Sequence, residues 1–169
     1  MPTTYAIPNG RTVMDAVAYT GTNATQSFSL QFQPDFLWFK ARAGSYAHAA
    51  FNSVVGRATG LSPNQTYGES TFGTSSAGND LASFNSSGFT VGAVQNWNSP
   101  NNSSANPVVW AWNAGSGTTS SNTNGSITST VSVNATAGFS VVTYTGNGSA
   151  GATVGHGLGV APSFIITKD

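Results

Sequence analysis

The 169-residue sequence predicts an all-β chain: an antiparallel β-sandwich or jelly roll, followed by the first strands of a second, repeated β module. Three observations predict it. Apolar residues recur with a period of two, as in Phe28, Leu30 and Phe32 against Ser27, Ser29 and Gln31, the spacing of a strand with one buried face. No stretch sustains i, i+3, i+4 spacing, while Gly, Asn, Ser and Pro punctuate the chain at close intervals, as short strands joined by turns require. The chain also echoes itself. Tyr19-Thr20-Gly21 returns 125 positions later as Tyr144-Thr145-Gly146, and the run Pro34 to Lys40 returns 128 positions later as Pro162 to Lys168. The difference is a three-residue insertion in a Gly-rich loop. Self-similarity at a fixed offset marks a modular chain.

Residues 1–11 carry Pro2 and Pro8, which forbid a helix, so an extended arm ending at Asn9-Gly10 is expected. Tyr5, Ile7 and Arg11 are its candidate anchoring residues. From Thr12 the chain alternates, with Val13, Asp15, Val17 and Tyr19 on one face and Met14, Ala16 and Ala18 on the other. A turn at 21–25 leads to the Phe28 strand, which Pro34 ends. Phe36 to Phe39 is a continuous apolar run, as for a strand buried on both faces. Tyr46 to Val55 predicts another strand, with Ala47, Ala49 and Phe51 on one side. Residues 56–80 read as a long irregular excursion holding at most one short strand; loops of this length are often functional. Leu81 to Phe84 and Phe89 to Val94 flank Asn85-Ser86-Ser87-Gly88, a hairpin signal. Residues 96–106 form a polar loop around Trp97. Pro107 to Asn113 sets Val108, Trp110 and Trp112 on one face, and that face must lie in a core or against a partner.

Residues 12–114 thus form the sandwich module. Residues 115–125, all Gly, Ser, Thr and Asn, read as a linker. Residues 126–169 open a partial second module, with Ile127, Ser129, Val131 and Val133 alternating. About seventy residues follow Lys40 in the first copy, but only Asp169 follows Lys168. The chain is therefore expected to continue in a longer protein or to be completed by something else.

Composition narrows the function. Charged residues make up 6% of the chain and the net charge is zero, against about 25% charged in ordinary domains. No basic field exists for nucleic acid or for a membrane surface. The chain has no cysteine, so it has no disulfide framework and no thiolate chemistry. Residues 1–20 lack a basic segment followed by an apolar one, so no signal peptide is expected. No apolar run approaches the ~20 residues that span a bilayer. The Asn-x-Ser/Thr triplets at Asn23, Asn64 and Asn134 follow from composition and are read as unmodified.

The candidate sites are few. His48 and His156 are the only histidines, which excludes three-histidine metal sites. Gly155 to Gly159 has the look of a phosphate loop, but a strand pattern follows it instead of a helix, so it reads as an ordinary loop. Glu69 and Asp80 share the long excursion, and a paired-carboxylate glycosidase is the enzyme reading they would allow. Asp15 and Asp35 are expected to make structural hydrogen bonds or to pair with Arg42 or Lys40. Trp97, with Asn96, Asn98, Asn101 and Asn102, is the candidate carbohydrate site, because a ring can stack on a pyranose while amides bond its hydroxyls. The competing reading has Trp97 covering the core and the asparagines serving turns. Trp38, Trp110 and Trp112 are assigned to the core or to a subunit interface. No catalytic residue, metal site or cofactor is expected.

Several runs together resemble a known class of proteins. They are residues 33–40, QPDFLWFK, residues 81–92, LASFNSSGFTVG, residues 108–115, VVWAWNAG, and the tail run 138–168. They resemble repeated, lectin-like β-sandwich modules of tailed-bacteriophage virion proteins, among them tail-fibre and appendage proteins, across most of residues 12–169. The resemblance implies a structural, non-enzymatic virion role, assembled in the host cytoplasm. Other virion proteins would be the partners and a host surface glycan a candidate ligand, with neither nucleic acid nor membrane insertion. A trimer is expected, because a fibre without disulfides needs buried intersubunit surface. A capsid decoration protein and a carbohydrate-binding module of a larger protein are the alternative readings.

Overall fold

The computed structural model describes residues 7–71, 80–93 and 100–168. Within them the chain is all β, with no α-helix. The strands are β1 (Met14–Ala18), β2 (Gln26–Ser29), β3 (Phe36–Ala41), β4 (Ala49–Asn52), β5 (Thr59–Leu61), β6 (Ser70–Thr71), β7 (Leu81–Asn85), β8 (Gly88–Val91), β9 (Pro107–Trp112), β10 (Ser120–Asn122), β11 (Ser129–Asn134) and β12 (Phe139–Thr143). They form three antiparallel sheets, ordered β1-β9-β3-β4-β5-β6, β2-β8-β7 and β10-β11-β12.

The six-stranded sheet and the β2-β8-β7 sheet face each other across one core. Leu37 and Phe39 of β3, Val109 and Ala111 of β9 and Phe51 of β4 point inward and are essentially inaccessible, as are Leu81, Phe89 and Val91 of the smaller sheet. Phe39 meets Phe51 and Phe89 edge-on at centroid distances of 6.0 and 5.8 Å. Phe28 stacks on Phe89 at 5.2 Å, and Tyr19 leans on Phe28 at 4.4 Å. Each large apolar side chain buried here contributes about 1.5–3 kcal/mol. These contacts, more than any propensity, hold the two sheets together.

The echo is structural. β1 spans 14–18 and β12 spans 139–143, an offset of 125 that matches the Tyr-Thr-Gly repeat. Each is an edge strand among the described residues and pairs antiparallel with one neighbour, β1 with β9 and β12 with β11. The run 162–168 does not follow its counterpart. β3 lies between β9 and β4, whereas residues 162–168 belong to no strand, and Phe164, Ile165 and Ile166 are exposed. Lys168 Nζ donates to the Tyr67 carbonyl at 2.7 Å.

Other expectations also need correction. β3 is not buried on both faces: Leu37, Phe39 and Ala41 are buried, while Phe36, Trp38 and Lys40 are half-exposed. The Phe28 strand ends at Ser29, and Leu30 and Phe32 reach the core from beyond it. The excursion after Gly56 contributes two short strands that extend the large sheet, β5 on the edge of β4 and β6 on the edge of β5. Residues 115–125 are not a free linker, since they contain β10. The buried Asp35 carboxylate ties down their start, accepting from the backbone N–H groups of Ala114, Ser116 and Gly117 at 2.6–2.8 Å and from Ser53 Oγ at 2.7 Å. Asp35 therefore makes structural hydrogen bonds and pairs with neither Arg42 nor Lys40.

Candidate functional site

The outer face of the six-stranded sheet carries a cluster of half-exposed aromatic side chains. Strand alternation puts it there. With Val109 and Ala111 inward, Val108, Trp110 and Trp112 must point outward, and likewise Phe36, Trp38 and Lys40 on β3. Register then sets Trp38 directly opposite Trp110 and Phe36 opposite Trp112. The outer neighbours are small: Ala16 lies opposite Trp110 on β1, and Ala50 opposite Trp38 on β4. The result is a shallow trough of about 340 Å3, lined by Trp38, His48, Trp110 and Trp112.

One end of the trough is closed by the second unit. Phe139 of β12 stacks on Trp112 with centroids 5.8 Å apart and planes 16° from parallel, and it also touches Phe36 at 6.3 Å. The other end is fixed by hydrogen bonds. Trp38 Nε1–H donates to His48 Nδ1 at 3.0 Å, and the His48 backbone N–H donates to Asn64 Oδ1 at 2.8 Å. The first bond leaves the imidazole proton on Nε2; the second identifies the outer atom of the Asn64 amide as its NH2. Burial, with the Lys40 ammonium second, holds His48 below the usual imidazole range and so favours the neutral ring.

The sequence-derived site residues fare differently. Trp97, Asn96 and Asn98 lie outside the described residues, as does Tyr5. Asn101 is fully buried, so it does not face a sugar. Its Nδ2 donates to the Ala24 and Gly92 carbonyls at 2.5 and 2.8 Å, and its Oδ1 accepts from Thr22 N–H and Gln26 Nε2 at 3.1 and 2.5 Å. It is a clamp between loops, the turn reading of these asparagines. Asn102 is half-buried and shapes its own turn, accepting from Ser104 N–H. Ile7 is half-buried. Arg11 is exposed, follows the Asn9 cap of a 3-10 turn at Gly10–Thr12, and pairs with Asp15 at 2.8 Å. Asp15 thus pairs within the strand's own entry and not with Arg42 or Lys40.

The catalytic readings gain no geometry. Asp80 is fully buried while Glu69 is exposed, opposite environments for a would-be carboxylate pair. The 155–159 loop bends around His156, whose Nδ1 accepts from Leu158 N–H at 3.2 Å, and neither a helix nor the expected strand follows it. Among the described residues no three His, Cys, Asp or Glu side chains come together to hold a metal.

Trp38, Trp110 and Trp112 are not in the core, contrary to one of the two assignments made for them. Their period-two spacing was visible in the sequence. Their alignment with each other and with His48 and Asn64 depends on strand register, which no local pattern states.

No curated protein and no solved structure matches this chain. Residues 10–169, nearly its whole length, match a family described as a domain of unknown function, DUF7483, and the chain belongs to that family.

Proposed function

We propose that this chain is a non-enzymatic structural subunit of a bacteriophage virion, a tail-fibre or appendage part that anchors and projects β modules for host attachment. The observation that carries the reading is the repeat. β1 and β12 coincide at an offset of 125 and are both edge strands, so the chain is built by reiterating a sheet-forming unit, as extended assemblies are. The near-chargeless surface and the likeness of residues 12–169 to virion modules support it. So does the exposed apolar run at 164–166, whose side chains are suited to burial against a neighbouring surface.

In this reading residues 1–11, with Tyr5, Ile7 and Arg11, form the anchoring arm, and three copies assemble through buried surface. The test is a density map of particles that carry the chain. Copies on a fibre or appendage are the expected result. Copies spread over the shell lattice would replace this reading with capsid decoration, and absence from particles would defeat both. Deleting residues 1–11 is expected to abolish incorporation; normal incorporation would remove the arm's role.

A further inference from the structure

We propose that the open edge of β12 and the run 162–168 accept an added β-strand between them, and that the strand is residues 2–7 of a second copy of this chain. The inference deepens the attachment reading, on which it rests, by naming what the anchoring arm docks on.

The repeat identifies the place to be filled. In the sandwich, β9 lies between β1 and β3 and pairs antiparallel with both. β12 is the counterpart of β1 at an offset of 125, and residues 162–168 are the counterpart of β3 at an offset of 128. Among the described residues no strand takes the place of β9 beside them: β12 pairs with β11 alone, and the run 162–168 belongs to no strand. Phe164, Ile165 and Ile166 are exposed, whereas Leu37, which stands where Ile165 does in the repeat, is fully buried. A strand edge with open N–H and C=O groups is a template for an added strand, and pockets for alternate side chains select which one.

The arm carries a sequence of the β9 kind. Residues 107–112 read PVVWAW and residues 2–7 read PTTYAI. Proline matches proline, two β-branched residues match two β-branched residues, an aromatic ring matches an aromatic ring, alanine matches alanine, and a large apolar side chain ends both. Carrying the β9 registers across gives the contacts. Ile7 falls between Phe139 and Phe164, as Trp112 does between Met14 and Phe36, and Tyr5 falls between Val141 and Ile166, as Trp110 does between Ala16 and Trp38. Aromatic and β-branched side chains directly opposite one another are favourable cross-strand pairs. Neither residues 2–7 nor residues 139–143 hold a charged side chain, so no like-charge pair opposes the contact.

The arm leaves its own chain at the sandwich. Asn9 caps the turn at Gly10–Thr12, and its Nδ2 donates to Gln31 Oε1 at 2.9 Å. The acceptor lies at the other end of the sequence, so donor and acceptor are different patches and the contact between copies is heterologous. Such contacts close into rings or run on as filaments, and a three-copy assembly is the smallest ring beyond a pair. The competing place for the arm is the open edge of its own β1. There, at the 125 offset, Pro8 takes the position that Val133 holds on β12, without an N–H for the ladder. In the single copy Lys168 Nζ holds the end of the run on the Tyr67 carbonyl at 2.7 Å; with the arm in place the run closes on its far side, as β3 closes on β9.

The experiment is sedimentation of the full chain, of a variant lacking residues 2–7, of Tyr5→Asp, and of the Phe164→Ser, Ile166→Ser double variant, with circular dichroism on each. The expected result is assembly of the full chain that rises with concentration, and monomers with unchanged spectra for all three variants. Tyr5→Asp keeps the acceptor and spoils the arm, while the double variant keeps the arm and spoils the acceptor. Mixing them is expected to give a one-to-one complex and nothing larger. A labelled peptide of residues 2–10 is expected to bind the arm-deleted chain, and about tenfold or more weakly when the peptide carries Tyr5→Asp; this arm reads the site even if a full-length variant misfolds. Three results would overturn the proposal: a full chain that stays monomeric at every concentration, which would leave the arm on its own β1; an arm-deleted chain that still assembles and ignores the peptide; or no complex on mixing. None of these depends on whether the chain is found in particles, so the two readings fail separately.

Discussion

Asp35 and Asn101 show how single side chains hold loops where no regular structure can. Asp35 is fully buried and serves four donors, three of them backbone N–H groups from the chain that leaves β9. Asp35→Asn puts an NH2 against those donors, and a loss of about 2–4 kcal/mol in urea denaturation is expected. Asn101→Ala removes the donor to the Ala24 and Gly92 carbonyls, for an expected loss of about 1–3 kcal/mol by the same measurement. His48 adds a pH dependence. Because its folded pKa lies below the usual value, the unfolded chain takes up a proton near pH ~6.5 that the folded chain resists. Stability should therefore fall as pH drops below about 6.5 and level off once the folded imidazole is protonated. Protonation also removes the lone pair that accepts Trp38, so tryptophan emission should change with a midpoint below ~6.5, and His48→Gln should abolish that change.

At the scale of elements, the β7–β8 hairpin and β12 make separate demands. Gly88 has φ +139°, and a Cβ there would fall on the Phe28 carbonyl oxygen of β2. Gly88→Ala must displace one strand of the small sheet, and a loss of about 2 kcal/mol or more in thermal unfolding is expected. β12 docks through Phe139 on Trp112 and Phe36. Phe139→Ala removes that stack while leaving the sandwich core intact. Hydrogen exchange should quicken in β10–β12 and not in β3, β8 or β9, with an overall cost of about 1–3 kcal/mol. Equal loosening of all three sheets would mean that the two units unfold as one. The strands β1, β9 and β11 were legible from their alternating sequence, and in β9 burial follows it, with Pro107, Val109 and Ala111 buried and the residues between them half-buried. β5, β6 and β10 were not legible. They are two or three residues long and exist because a neighbouring edge offers hydrogen bonds, which no local sequence encodes.

For the whole molecule, the described residues form two sheets that share a core, a separate three-stranded sheet and a run at 162–168 outside any strand. Phe164, Ile165 and Ile166 are 79%, 69% and 58% exposed, whereas their counterparts Phe36 and Trp38 are half-buried and Leu37 is fully buried. Changing Phe164 and Ile166 to Ser should therefore leave the melting temperature within about 1–2 °C, since exposed side chains contribute little. The same change should reduce concentration-dependent association seen by sedimentation, because a contiguous exposed apolar run is the feature that recruits a neighbouring surface. A large drop in melting temperature would show that the run is packed in solution.

The sequence by itself determined the fold class, the main strands, the hairpin at residues 85–88 and the repeat, because period-two burial and turn chemistry are local and survive in a linear reading. Only the tertiary structure decided which tryptophans face outward together, that Asn101 is a buried clamp, that residues 115–125 are tied to Asp35, and that His48 and Asn64 flank Trp38. Those facts follow from strand order and register. Strand order and register are set by which sheets can close over a common core, and that condition joins residues as distant as Trp38 and Trp110, or Asp35 and Gly117.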